Sequence, residues 1–297
     1  MKILLLGYNG QVGWELSRSL QPLGELVCAT RSQADLMAAN ELRSFIIHHN
    51  PNVIVNAAAY TAVDRAETES ARAFLINAEA PAIIAETCRK LDALLIHYST
   101  DYIFDGKKTS SYTEEDRPNP INTYGQSKLT GERNIQISGS DYLIFRTSWV
   151  YAARGRNFLK TMLRLTKERQ QLNIVADQIG APTWARLIAD TTAHALKQSM
   201  LERQQKRFIP DIYHLAASGE TSWYGFATTI IELLQQLEDS ETRNCLIKPI
   251  TTADYPLPAK RPANSRLALD HLEHHFGVQM PNWEKSLILC LEELLAI

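Results

Sequence analysis

Lys128 stands four residues after Tyr124 in the segment INTYGQSKLTGE (121–132), and no other tyrosine in the chain is followed by a lysine at that distance. Turn chemistry precedes them, in Pro118, Asn119 and Pro120, and the run that follows is compatible with a helix. Helical residues i and i+4 share one face, so a phenol and an ammonium would meet in one site. A free phenol titrates near pH ~10 and seldom ionises at neutral pH. A neighbouring positive charge favours the phenolate, which makes the phenol a better proton donor to a developing alkoxide. A Tyr-x-x-x-Lys match is common enough by chance to prove little alone, so its setting must carry the argument.

Two further stretches supply that setting. HYSTDYIFDG (97–106) places Ser99, Thr100 and Asp101 at the end of an apolar run, where a hydroxyl could hydrogen-bond a carbonyl oxygen. Helix capping or a turn is the plainer use of the same residues. GYNGQVG spaces Gly7, Gly10 and Gly13 by three, between an apolar run and a helix-compatible segment. Glycines there permit a tight turn and close approach of backbone N–H groups to a diphosphate, and structural punctuation is the alternative. The GxxGxxG spacing leans toward the short-chain dehydrogenase type of dinucleotide site. After the second apolar run come Ala29, Thr30, Arg31 and Ser32, with no carboxylate to accept ribose hydroxyls. Arg31 could instead pair with a 2′-phosphate, which favours NADPH, while the nearby Asp35 leaves NADH open.

The elements that must hold these residues can be read from hydrophobic patterning. Continuous apolar runs at 2–6, 25–29, 53–57, 93–99 and 142–148 suit strands covered on both faces. Helical spacing falls near 11–20, 40–49, 64–90 and 123–136, and this alternation predicts an α/β, Rossmann-like doubly wound parallel sheet. Further on, helices are expected near 157–170, 184–198 and 222–237, with strands at LNIVA and at 212–216. Proline-rich TTADYPLPAKRPANSRL (251–267) reads as a long surface loop. The expected division is a nucleotide-binding domain over 1–150, completed by about 181–216. A smaller, C-terminal substrate region would take about 151–180 and 217–297.

On this frame the chemistry becomes specific. Hydride would pass from a nicotinamide to a carbonyl carbon while Tyr124 protonates the oxygen; Lys128 would hold the nicotinamide ribose, and Thr100 would share the oxygen's hydrogen bonding. The set resembles the extended short-chain dehydrogenase/reductases. The blocks GQVGWEL, VIVNAAAYTAVDRAE, HYSTDYIFDG, YGQSKLTGE, FRTSWVYA, NFLKTMLRL, DQIGAPTWA and RPANSRL resemble the dTDP-4-dehydrorhamnose reductase family across residues 7–267.

The resemblance implies reduction of the C4 ketone of dTDP-4-dehydro-L-rhamnose to dTDP-L-rhamnose for bacterial surface polysaccharide. It also implies contacts. Gly10, Gln11 and Val12 would meet the cofactor diphosphate, Asp35 and Leu36 the adenine side, and Ala59, Tyr60 and Thr61 the nicotinamide ribose region. Tyr98, Tyr124 and Lys128 would complete the cofactor site, Thr100, Asp101 and Trp149 would hold the sugar, and Tyr124 would be the acid. Some relatives bind magnesium through acidic side chains at a subunit interface. Glu15 matches one such position, but Arg186 stands at a second, and an arginine cannot ligate the ion. No metal is therefore expected, and the homodimer such a site would serve is left open. The alternatives are an epimerase or dehydratase on another nucleotide sugar, or a catalytically silent nucleotide-binding subunit.

Composition excludes other classes. A net charge of −2 and 22% charged residues give no broad affinity for nucleic acid or anionic membranes. No segment approaches the roughly 20 apolar residues of a membrane helix, and MKILLL is too short for a signal peptide. Four scattered cysteines, with no CxxC, fit a reduced cytoplasmic setting. The histidines of DHLEHHFG (270–277) read as a solvated surface patch. Arg261 and Arg266 are candidates for a substrate diphosphate.

Overall fold

The computed structural model of the protein describes residues 1–238 and 245–295. β1 (Lys2–Leu6) is followed by α1 (Gln11–Ser19), β2 (Glu25–Ala29), α2 (Ala39–His49) and β3 (Val53–Asn56). The segment expected as one helix over 64–90 is divided into α3 (Val63–Ala66), α4 (Ser70–Phe74), a π-helical turn (Leu75–Glu79) and α5 (Ala80–Leu91). Pro81 explains the last break. It has no N–H to give an unbroken helix, and its ring would press on the carbonyl of Asn77.

β4 (Leu94–Thr100), a 3₁₀ turn (Asp101–Ile103), α6 (Thr123–Ile137) and β5 (Tyr142–Thr147) come next. After them lie β6 (Val150–Tyr151), α7 (Phe158–Glu168), β7 (Gln171–Val175), β8 (Ile179–Gly180), β9 (Thr183–Trp184) and α8 (Ala185–Gln204). The chain continues with β10 (Asp211–His214), β11 (Thr221–Ser222), α9 (Trp223–Glu238), β12 (Leu246–Ile250), α10 (Asp270–Phe276) and α11 (Trp283–Leu295).

Six strands form one parallel sheet in the order β10-β5-β4-β3-β1-β2. The apolar runs are continuous because alternate residues feed opposite faces. Ile3, Leu5, Val53, Val55, Leu94 and Ile96 enter one core cluster, while Leu4, Leu6, Ile54 and Leu95 enter the other. Each such side chain, fully buried, contributes roughly 1.5–3 kcal/mol. The chain leaves β1 toward β2 on one side and returns to β3 on the other. That reversal opens a crevice beyond the carboxyl ends of β1 and β3, where α/β sheets bind ligands.

A third cluster, built from Tyr151, Leu159, Met162, Phe226, Trp283 and Leu287 among others, lies outside this sheet. β7 and β12 pair in parallel beside it. The segment expected as a surface loop over 251–267 is one over 253–258, which is exposed, and departs from that reading from Ala259 onward. Ala259, Asn264, Ser265 and Leu267 are buried, Ser265 N donates to the Ile179 carbonyl (2.7 Å), and Ala268 N donates to that of Tyr112 (2.7 Å). Its prolines and polar residues mark irregular backbone, and neighbouring strands and loops satisfy that backbone.

Candidate active site

Asn122 starts α6, its Oδ1 accepting from Gly125 N at 2.8 Å. Gly125 lies directly against the Tyr102 carbonyl, where a Cβ has no room, so the first turn of α6 rests on the 3₁₀ turn after β4. Tyr124 and Tyr102 meet edge to face with centroids 5.8 Å apart. Thr100 Oγ1 accepts from Tyr102 N (3.2 Å) and donates to Asp101 Oδ1 (3.0 Å), so this residue does cap the turn. The same hydroxyl lies beside the Tyr124 phenol. Burial pushes that phenol up to about 12, the neighbouring Thr100 hydroxyl opposes the rise, and the Asp101 charge adds to it. Asp101 is itself pushed up to about 6 by burial, and among the described residues its Oδ2 has no hydrogen-bond partner.

Lys128 follows one turn later and is 2% exposed. Its Nζ donates to the Tyr98 carbonyl at 2.6 Å and lies 3.3 Å from His97 Nε2. Burial lowers its pKa to about 8, against a raising influence from Glu132. The expectation that Lys128 depresses the Tyr124 pKa is therefore not met by the protein's own groups. The ammonium end is turned onto β4, and desolvation dominates at the phenol.

The glycine turn occupies the crevice between β1 and β3. Gly7 has φ +77°, and a Cβ there would sit 2.6 Å from Ala58 N. Gly13 faces the Gly7 carbonyl with no space for a side chain, so two of the three glycines are required by packing alone. Gly10 is the N-cap of α1, and no side chain caps that terminus. The first-turn N–H groups, in Gln11, Val12 and Gly13, have no acceptor four residues back and suit a diphosphate. Gln11 Oε1 accepts from Asn157 Nδ2 (2.7 Å), the residue whose own Oδ1 caps α7.

Beyond β2, Arg31 is exposed and pairs with Asp35 at 3.3 Å, while Leu36 is buried. Tyr60 is clamped by Asn77, which accepts from its N–H (2.8 Å) and donates to its carbonyl (3.0 Å). Asn77 Nδ2 also reaches Ser127 Oγ at 3.0 Å, joining the Ala59–Thr61 loop to α6. Tyr98 lies at the strand end to which Lys128 points. Its hydroxyl bonds Thr192 Oγ1 at 2.7 Å, within the core, and only its carbonyl reaches Lys128.

Trp149 has φ +45°, a strained conformation for a bulky residue. Trp223 stacks on its indole at 3.6 Å, so one of the two faces is already covered. Arg186 pairs with Glu15 (2.9 Å) and with Glu293 (3.3 Å), a cation standing between two carboxylates. Both candidate diphosphate arginines are engaged elsewhere. Arg261 makes a forked pair with Asp64 (2.6 and 2.7 Å), and Arg266 binds Glu220 at 2.7 Å.

Sequence reasoning passed over Asn77, His97, Asn56, Trp223 and Asp64. For His97 and Asn56 a signal existed, since each interrupts an otherwise apolar strand. Asn77 and Trp223 carry no comparable mark.

The family described as RmlD substrate binding domain matches residues 1–296. The chain is 50% identical, over 100% of both proteins, to a dTDP-4-dehydrorhamnose reductase of Burkholderia thailandensis. A dTDP-4-dehydrorhamnose reductase of Clostridium acetobutylicum superposes with TM-score 0.89 at 34% identity, covering 99% of each chain. One from Bacillus anthracis, solved in complex with NADP, gives 0.87 at 32% identity over 98% of this chain and 99% of that one. Matched from end to end in sequence and in fold, the chain belongs to the dTDP-4-dehydrorhamnose reductase family.

Proposed function

We propose that the protein reduces the C4 ketone of dTDP-4-dehydro-L-rhamnose to dTDP-L-rhamnose, with Tyr124 as proton donor and NADPH as reductant. The observation that carries this reading is the juxtaposition of Thr100 and the Tyr124 phenol at the carboxyl end of β4, in a chain half identical to a reductase of that name. The uncapped α1 terminus and the glycine turn fit a dinucleotide diphosphate, and a solved relative holds NADP. When bound, NADPH supplies the hydride to C4.

The remaining work falls to the chain's own residues. Thr100 and Tyr124 hydrogen-bond the ketone oxygen, and Tyr124 transfers its proton as charge develops there. A phenol held near 12 stays protonated at neutral pH and so arrives as an acid. Lys128 anchors the nicotinamide ribose. Asp101 and Trp149 orient the sugar. Gly7, Gly10, Gln11, Val12 and Gly13 bind the diphosphate, Arg31, Asp35 and Leu36 the adenosine end, and Ala59, Tyr60 and Thr61 the ribose side, with Tyr98 acting through its carbonyl. Arg31 favours NADPH, and its pairing with Asp35 leaves NADH use open.

The same reading assigns 1–150 and about 181–216 to the nucleotide domain, in keeping with β10 beside β5 and α8 against α1. The substrate region takes about 151–180 and 217–297. It locates the enzyme in the cytoplasm, where its four free cysteines stay reduced. Incubation with dTDP-4-dehydro-L-rhamnose and either NADPH or NADH, with the product identified by NMR, tests the proposal. Formation of dTDP-L-rhamnose with stoichiometric cofactor oxidation is expected. An epimerised or dehydrated product, or no cofactor oxidation, refutes it.

A further inference from the structure

Below Lys128 runs a row of buried polar side chains that the proposed reaction leaves unexplained. Asn56 and His97 are register partners across β3 and β4, and each is 1% exposed. The row runs from Ala58 N through Asn56 and His97 to Lys128 Nζ, with separations of 3.2, 3.2 and 3.3 Å.

Every link in it has a direction. The Ala58 N–H can only donate, so it selects Asn56 Oδ1 as its acceptor. That turns Asn56 Nδ2 toward His97 Nδ1, and an amide nitrogen can only donate. His97 Nδ1 must therefore be the bare ring nitrogen, which leaves the proton on Nε2. Nε2 faces Lys128 Nζ. A ring N–H needs a lone pair opposite it, which an amine offers and an ammonium lacks. Turning the Asn56 amide over would restore an ammonium-compatible ring but leave the Ala58 N–H without an acceptor.

We propose that Asn56 holds His97 in its Nε2–H tautomer, and that His97 so held is a positioning residue that disfavours the ammonium form of Lys128. The functional meaning rests on the reading of Tyr124 and Lys128 as the catalytic pair. Other influences around Lys128 are few. Glu132 on α6, paired to Arg146 on β5, raises the lysine's pKa, while burial lowers it to about 8. Burial and the lysine charge keep His97 neutral. Asn77, which packs on α6 from the π-helical turn, is uncharged, and Tyr124 and Asp101 lie at the β4 end of the helix. The consequence is a lysine whose charge changes within the range where a cytoplasmic enzyme works.

Nitrogen-15 NMR of the free protein with labelled histidine reads the tautomer directly. A proton on Nε2 of His97 is expected, and a proton on Nδ1 overturns the proposal. The signal is assigned by its loss in His97→Gln. Carbon-13 NMR of labelled lysine then compares the Lys128 titration in the natural protein and in Asn56→Ala. Losing the directing amide should raise the Lys128 midpoint by about one unit, a tenfold change in proton affinity. An unmoved midpoint in a folded variant overturns the proposal. If Asn56→Ala does not fold, the tautomer of the natural protein decides. Neither readout uses substrate. Failure to reduce the keto sugar would remove the proposed function alone, and an Nδ1 proton in an active reductase would remove this inference alone.

Discussion

Replacing Arg146 with methionine removes one half of the ion pair that fastens α6 to the sheet. Arg146 on β5 and Glu132 on α6 are 4% and 1% exposed. The guanidinium reaches the carboxylate through Nε at 3.1 Å and Nη2 at 2.8 Å, a forked geometry. With Arg146 gone, a buried carboxylate is left without its charge partner, which costs about 3–5 kcal/mol. Such a loss is a large part of the roughly 5–15 kcal/mol that holds a typical protein folded. Glu132→Gln, which strands the guanidinium, should cost a similar amount. The pair is not ideal, because Arg146 Nη1 is buried without a partner among the described residues. Replacing both residues, as Arg146→Met with Glu132→Leu, should therefore recover most of the loss. The two single variants should also move Lys128 in opposite directions. Glu132 is the charge that raises its pKa, so Glu132→Gln lowers the midpoint further below about 8, and Arg146→Met, leaving that carboxylate uncompensated, raises it. Urea unfolding of the four proteins, with lysine titration by NMR, makes the comparison. Single variants that lose less than about 1 kcal/mol, or a double variant that loses the sum of the singles, would refute the reasoning.

Tyr124→Phe should keep NADPH affinity, measured by fluorescence titration, while turnover falls roughly 100-fold or more; retained turnover removes the phenol from the chemistry. Arg31→Asp should lower the ratio of NADPH to NADH kcat/KM, and an unchanged ratio would show that the cation does not meet a 2′-phosphate. Asp101, whose folded pKa is raised to about 6, binds its proton more tightly folded than unfolded. Its stabilising contribution is thus full below pH ~4 and is lost as pH rises through about 6, a change of about 3 kcal/mol. Denaturation of the natural protein and of Asp101→Asn between pH 4 and 7 should show their stability difference shifting toward the variant as pH rises; a constant difference contradicts the buried-carboxylate account.

The main sheet was legible because burial on both faces demands uninterrupted apolar strands, and those at 2–6 and 25–29 match the observed β1 and β2. The two-residue strands β6, β8, β9 and β11 are too short to carry any periodicity. β12 contains Pro249, which argues against a strand from sequence, yet it pairs with β7. At the site, Tyr124, Lys128 and Thr100 were visible because one helical spacing and one strand end suffice to relate them. The aim of Lys128 was not, since it depends on a carbonyl and an imidazole thirty residues away in sequence. Arg261 read as a candidate for a substrate diphosphate, and its pairing with Asp64, 197 residues earlier, leaves no local mark in the sequence. Likewise the covering of Trp149 by Trp223 follows from tertiary packing that no local pattern records.

Reduction with NADPH carrying deuterium on its transferable position follows the hydride itself. The account predicts dTDP-L-rhamnose with one deuterium at C4 of the sugar and oxidised cofactor in equal amount, at a rate that collapses in Tyr124→Phe. Deuterium at any other carbon, a product free of deuterium, or equal rates in both proteins would contradict it.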